Sequence, residues 1–327
     1  MIMGKIDKNQ IEIDITECFA DDSEYFWKNF AQWENEDFSG IYSAKKGLPD
    51  IDASSLRLYE FYGKLWTLQR EKFKKDDINI PDVDIYEGKY LYLNDKKMKL
   101  SSDSFISIYW HWKRMKTLML EIYDDKDNLS KEIDQLKNRL NTLKIKENDR
   151  WFSDKFSLYK TFIWHYLQYA NTIGGFIVFP RIYNSINVKR ANSPICDRFD
   201  LTLECIRRAY LNGYFDKSDD NPLFNISDED KEFFKMFGTF ENYAKFFCLN
   251  ESYDKKHNWV TEDCSAVYDL LNENKEETLD NWDFNKKTPL PQNEKEWWTF
   301  YRNIMDRLEA RNKQIKDVIE KTKRADR

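Results

Sequence analysis

The sequence predicts an α+β fold, predominantly α-helical, in a single domain spanning residues 1–327. Three observations carry this. Most of the chain spaces its apolar residues three and four apart, the period of an amphipathic helix. The 327 residues include only 9 Gly and 7 Pro, too few to punctuate a turn-dense β-sandwich. Strand patterning is confined to a small β element, a hairpin over 89–102 and short strands over 10–15 and 176–179. Aromatic residues make up 16% of the chain, which supplies enough bulky apolar surface to exclude a disordered chain.

Taken in order, QIEIDI (10–15) alternates apolar and polar residues and reads as a half-buried strand. Bulky aromatics at helical spacing predict a helix over 22–34. A second helix is predicted over 54–72, capped by Ser54 or Ser55. Residues 76–87 are polar, contain Pro81, and read as a loop. KYLYLNDKKMKLSS (89–102) is the clearest β signal. Leu91 and Leu93 alternate with tyrosines on one arm, Met98 and Leu100 lie on the other, and Asn94-Asp95 supplies the turn.

Residues 104–150 read as helix. Leu129, Ile133, Leu136, Leu140 and Leu143 make a seam two heptads long. With a helix over 153–171 they predict a protruding helical hairpin. Gly174-Gly175 ends that helix, Phe176 to Phe179 forms a buried strand, and Pro180 stops it. Two short helices are predicted around Gly238 in 228–250. A long helix closes the sequence over 294–327, with Trp297, Tyr301, Ile304, Leu308, Ile315 and Ile319 as its apolar stripe.

The stretch CDRFDLTLECIRR (196–208) mixes charge and apolar residues most tightly. As a helix over 197–210 it aligns Phe199, Leu203, Ile206 and Tyr210 on one face. Asp197 stands at the N-cap position and Asp200 three residues on, in a capping-box spacing. Glu204 can pair with Arg207 and Arg208 at i,i+3 and i,i+4. A capped, salt-bridged amphipathic helix therefore accounts for every charge.

A site at the helix entrance is the sharper reading. The loop before it, RIYNSINVKRANSPI (181–195), brings in Arg181, Lys189 and Arg190. Between 181 and 208 six basic residues face three acids, a local positive excess in a chain of net charge −6. A helix N-terminus already offers unpaired N–H donors and partial positive charge. Arginines there make a seat for phosphate or carboxylate. The candidate ligand-binding residues are Arg181, Asn184, Ser185, Asn187, Arg190, Asp197, Arg198, Asp200 and Glu204. Ser102 and Asp103, at the hairpin's end, would close the site from across a pocket.

These stretches also carry a resemblance. LSSDS (100–104), IGGFIVFPR (173–181), SIN (185–187), DRFDLTLECIRR (197–208), MFGTFENYAKFF (236–247) and EARN (309–312) resemble an uncharacterised bacterial family, a domain of unknown function. Relatives tend to read Gln-Ala-Arg-Gly after SIN, where this chain has Val188, Lys189, Arg190 and Ala191. The stretch 121–150 looks longer than usual and reads as an inserted helical or coiled-coil segment. The resemblance implies no activity and no catalytic residues.

Other chemistries find little support. The five cysteines are scattered with no Cys-x-x-Cys pair, which gives neither a zinc ribbon nor a disulfide framework. His111, His165 and His257 have no second ligand at metal spacing. No G-x-S-x-G elbow is present. No metal and no cofactor are expected. The YWHWKRMK run (109–116) could stack on single-stranded nucleic acid, but reads first as a helix with one aromatic face. Net charge −6 speaks against bulk nucleic-acid binding. No apolar run reaches signal or membrane-spanning length, so a cytoplasmic protein is expected. Its Lys, Asn, Asp and Ile richness suggests an AT-rich bacterial or phage source.

Two function classes follow. One binds, and in an enzymatic version processes, an anionic small molecule such as a nucleotide or phosphorylated species at the 197–210 helix entrance. The other is a non-catalytic interaction protein, an inhibitor in phage–host conflict, docking a protein partner through 129–143.

Overall fold

The computed structural model describes residues 5–6, 56–86, 90–101, 172–180, 195, 198–211, 227–250, 257–273, 276–283 and 289–325. The predicted strand 10–15, the helix 22–34, the heptad seam 129–143, the inserted segment 121–150 and the helix 153–171 lie outside them. So do the caps Ser54 and Ser55, His111 and His165.

A small antiparallel sheet lies beside five described helices, an α+β arrangement. Its strands β1 (Lys5–Ile6), β2 (Val83–Tyr86), β3 (Tyr90–Leu93), β4 (Lys96–Ser101) and β5 (Ile177–Pro180) are ordered as in sequence. The hairpin forms as its alternation predicts. Leu91 pairs with Met98 and Leu93 with Lys96. Asn94 and Asp95 both take positive φ, 48° and 63°, the requirement of a two-residue type I′ turn. β5 joins β4 with Leu100 opposite Val178 and Ser101 opposite Ile177, and all four of its residues are buried. The loop expected over 76–87 is corrected: it contains β2, with Val83 and Ile85 buried and Asp84 and Tyr86 half-buried. The period-2 pattern is present, but four residues beside a proline give a weak signal.

Helix α1 (Leu56–Lys74) lies across β2 and β3. Gly63 permits the approach: a Cβ there would sit 2.5 Å from the Ile85 side chain. Helix α2 (Phe199–Leu211) follows the sheet. Helices α3 (Asp228–Lys235) and α4 (Phe240–Phe246) flank Gly238, whose φ of 74° suits the break between them. Each is capped by a side-chain oxygen, Ser227 for α3 and Thr239 for α4. They bring Phe233, Phe237, Phe246 and Phe247 around Trp66 of α1, with the closest ring centroids 4.9 Å apart.

Helix α5 (Glu294–Ala325) buries its whole predicted stripe, Trp297, Tyr301, Ile304, Leu308, Ile315 and Ile319. It also inserts polar side chains. Arg311 donates to the backbone oxygens of Gly174 (2.6 Å), Phe176 (2.6 Å) and Phe247 (2.9 Å). The Gly174 N–H donates to Asn312 Oδ1 at 2.6 Å, and Asn312 Nδ2 to Thr172 Oγ1 at 2.8 Å. These bonds clamp the 3-10 turn Ile173–Gly175 that leads into β5. A Cβ on Gly174 would meet Asn312 Oδ1 and the Leu308 carbonyl, both at 2.8 Å. The IGG and EARN motifs therefore meet in space, and their residues hold backbone. No described helix is long and apolar enough to cross a membrane.

Candidate functional site

Helix α2 matches the predicted span to within two residues, but it is buried on more than one face. Phe199, Leu203 and Ile206 are buried as the stripe predicts, and so are Asp200, Leu201, Thr202, Glu204, Cys205 and Arg207. Charges in such a setting must be paired and hydrogen-bonded, and they form two nodes.

The first is built on Arg198, just before the helix. Its Nε donates to Asp200 Oδ1 at 3.1 Å, and its Nη2 to Asp200 Oδ2 and, at 3.0 Å, to Asp269 Oδ1. Nη1 donates to the Pro289 carbonyl at 2.9 Å. The guanidinium lies 5.7 Å from the Phe300 ring centre. Burial pulls the Arg198 pKa down, but Asp200 and Asp269 outweigh it and leave the net shift upward. Asp200 Oδ2 also accepts the Leu270 N–H at 3.1 Å. Its carboxylate thus ties α2 to the 269–270 segment; Asp197, its partner in the predicted capping box, lies outside the described residues.

The second node is built on Glu204. Arg207 grips it through Nε (2.8 Å) and Nη2 (2.9 Å), and Arg208 through Nε (2.5 Å), as the i,i+3 and i,i+4 spacings predict. Both arginines reach onward. Arg207 contacts Asp280 at 2.8 Å and the Ser265 carbonyl at 2.5 Å. Arg208 contacts the carbonyls of Leu279 and Trp282, each at 3.0 Å. Burial lowers the Arg207 pKa, but Glu204 and Asp280 leave it raised overall.

Arg198, Asp200 and Glu204 are thus in described, fully buried positions, in two separate nodes. The other named candidates, Arg181, Asn184, Ser185, Asn187, Arg190, Asp197, Ser102 and Asp103, lie outside the described residues. Ser101, at the end of β4, is buried opposite Ile177.

Sequence reasoning missed Arg307. It is fully buried on α5. Its Nε donates to the Asn258 carbonyl at 2.8 Å, its Nη1 to the Asn303 carbonyl at 3.1 Å, and it lies 5.7 Å from the Tyr268 ring centre. Its buried Nη2 has no hydrogen-bond partner among the described residues. No carboxylate among the described residues forms an ion pair with it, and burial pushes its pKa down to about 10 despite the fields of Asp200, Asp306 and Asp269. Arg307 is therefore a buried cation within electrostatic reach of the Arg198 node but without an ion-pair partner among the described residues. The missed signal was spacing: Asn303, Arg307 and Arg311 recur every four residues beside the apolar stripe.

Elsewhere, His257 lies 3.7 Å from Asp306, with both side chains half-buried. Cys205, Cys248 and Cys264 are unbridged and buried.

A family model described as a family of unknown function (DUF6994) matches residues 134–315. No curated protein and no solved structure matches the chain.

Proposed function

We propose that the chain, which belongs to the DUF6994 family of unknown function, binds an anionic ligand, a nucleotide or phosphorylated species, where residues 181–198 lead into α2. The carrying observation is Arg307. A buried guanidinium with an unpartnered Nη2 and a depressed pKa is costly unless an anion completes it. A ligand phosphate or carboxylate supplies the missing acceptor in a form that suits a guanidinium fork. In this reading Arg181 and Arg190 hold the ligand's outer charge. Asn184, Ser185 and Asn187 add neutral hydrogen bonds, and Ser102 and Asp103 close the far side. Asp197 orients the helix entrance. Arg198, Asp200 and Glu204 act from beneath, as the ionic framework that fixes α2.

The test is a thermal-shift screen of the full chain against nucleotides, cyclic nucleotides, sugar phosphates and short RNA. A ligand that binds only the folded state raises the melting temperature, by about 2.7 kcal/mol of added stability at a hundredfold excess over Kd. The expected result is a shift with at least one phosphorylated ligand that disappears in both Arg307→Met and Arg190→Ala. A flat screen, or a shift unchanged in both variants, removes the reading.

A further inference from the structure

Arg307 and the Arg198 node meet on one short stretch of chain. The Tyr268 ring centre lies 5.7 Å from the Arg307 guanidinium. The next residue, Asp269, accepts from Arg198 at 3.0 Å, and the Leu270 N–H donates to Asp200 at 3.1 Å. Helix α5 meets the same stretch. Its Asn303 takes the Arg307 Nη1 on its carbonyl and holds the Leu270 and Asn272 carbonyls with its side chain. The fields of Asp200 and Asp269 oppose the effect of burial at both arginines.

Four buried charges therefore act as one cluster. Arg198 and Arg307 bring two positive charges, Asp200 and Asp269 two negative ones, and the sum is zero. Arg198, Asp200 and Arg307 are fully buried and Asp269 is buried. The cluster is balanced in charge but not in hydrogen bonding, because Arg307 Nη2 has no acceptor among the described residues. An acceptor brought by a ligand adds its own charge as net charge, away from water. That penalty grows faster than the charge itself, so a doubly charged group costs more than twice a singly charged one. Asp306, half-buried beside His257, adds a further negative field at Arg307 and steepens the difference. A terminal phosphate carries close to two negative charges at neutral pH. A phosphodiester carries one, and keeps two unsubstituted oxygens for the two N–H bonds of Nη2.

We infer that the group seated on Arg307 is singly charged, a phosphodiester and not a terminal phosphate. The inference rests on the anion-binding reading above and narrows its ligand class. Charge elsewhere on the ligand stays with Arg181 and Arg190, as in that reading.

Thermal-shift titrations of the full chain with two matched pairs test it at equal ionic strength: dimethyl phosphate against methyl phosphate, and 3′,5′-cyclic AMP against 5′-AMP. The monoesters are doubly charged at about pH 8 and singly charged at about pH 5, because their second pKa is about 6. The diester is expected to bind at least tenfold more tightly at the higher pH, and the gap should close at the lower pH. Asp269→Asn keeps an oxygen for Arg198 and for the Leu271 N–H and leaves the cluster with one positive charge. It should abolish the preference at the higher pH. The pH comparison needs no variant, so it decides the matter even if Asp269→Asn fails to fold. A monoester that binds as tightly as its diester at the higher pH, or a preference that a folded Asp269→Asn retains, overturns the inference while the anion-binding reading stands. Binding that survives Arg307→Met overturns it as well. No shift from any of the four probes at either pH removes the inference and, with a flat wider screen, the reading beneath it.

Discussion

Removing the Arg198 guanidinium would leave Asp200 and Asp269 in the core without their cation. Breaking a buried pair from one side costs about 3–5 kcal/mol, because the surviving charge keeps its desolvation penalty. Arg198→Met should therefore lose that much stability in urea unfolding. A loss below about 1 kcal/mol, the worth of an exposed pair, would mean that the node is wet. Alkaline pH acts on a different set of groups. Burial pushes the Tyr62 phenol up from 10.0 to about 12, so the folded chain keeps a proton that the unfolded chain releases. That contribution is complete below pH 10 and is lost as pH rises toward about 12. Each such group adds a slope of at most about 1.4 kcal/mol per pH unit. Tyr243 is shifted in the same direction by burial. Cys264, raised by burial to about 11, begins to act from pH 9. Arg307 works in reverse, since its depressed pKa favours the folded state once pH passes about 10. Tyr62→Phe should flatten the loss of stability between pH 10 and 12. An unchanged slope would exclude Tyr62 as its source.

Among the elements, α5 does two things with one surface. Its apolar row drives packing, and the row at 303, 307 and 311 donates to main-chain oxygens. Asn303 Nδ2 serves the carbonyls of Leu270 (3.0 Å) and Asn272 (2.9 Å). Among the described residues of 257–273 and 276–283, the strand pairing is two isolated bridges, Val260–Val267 and Tyr268–Thr278, so their buried polar groups need outside partners. Asn303→Leu keeps the branched shape and removes the donor. It should cost about 1–3 kcal/mol and speed amide hydrogen exchange across residues 257–272 relative to α4. Uniform exchange in the variant would show that α5 does not organise this segment. This division also explains what could be read in advance. The hairpin, α1, α2, the pair around Gly238 and α5 were legible because each repeats a local period or ends on a turn residue. β2 was not, since VDIY offers only two alternations. Asp269 and Asp280, partners of Arg198 and Arg207 more than seventy residues away in sequence, lie in a segment without periodicity. Nothing local marked them as counter-ions.

For the whole molecule, the family match and the folded unit differ in extent. The match begins at residue 134, yet β5 hydrogen-bonds to β4, with Lys99 opposite Phe179. The phenol of Tyr62 in α1 donates to the carbonyl of Phe176, at 2.6 Å. A fragment of residues 134–315 would expose the fully buried β5 and cut α5 before Ile319. It should show no cooperative unfolding transition by circular dichroism, whereas the full chain should show one. A cooperative fragment would mean that α1 and β2–β4 are accessories.

Arg311 reaches back 135 and 137 residues to the carbonyls it holds, and Arg307 and Asn303 also serve oxygens that precede them. Synthesis proceeds from the N-terminus, so every one of these carbonyls is made before its donor, and those of Gly174 and Phe176 leave the ribosome long before Arg311 exists. The aromatic cluster around Trp66 can gather early, but the 3-10 turn and the 257–283 segment must wait in water for α5. Completion of this fold is therefore a late event in the life of the nascent chain. During that wait a chaperone would find its binding surface in the half-assembled core.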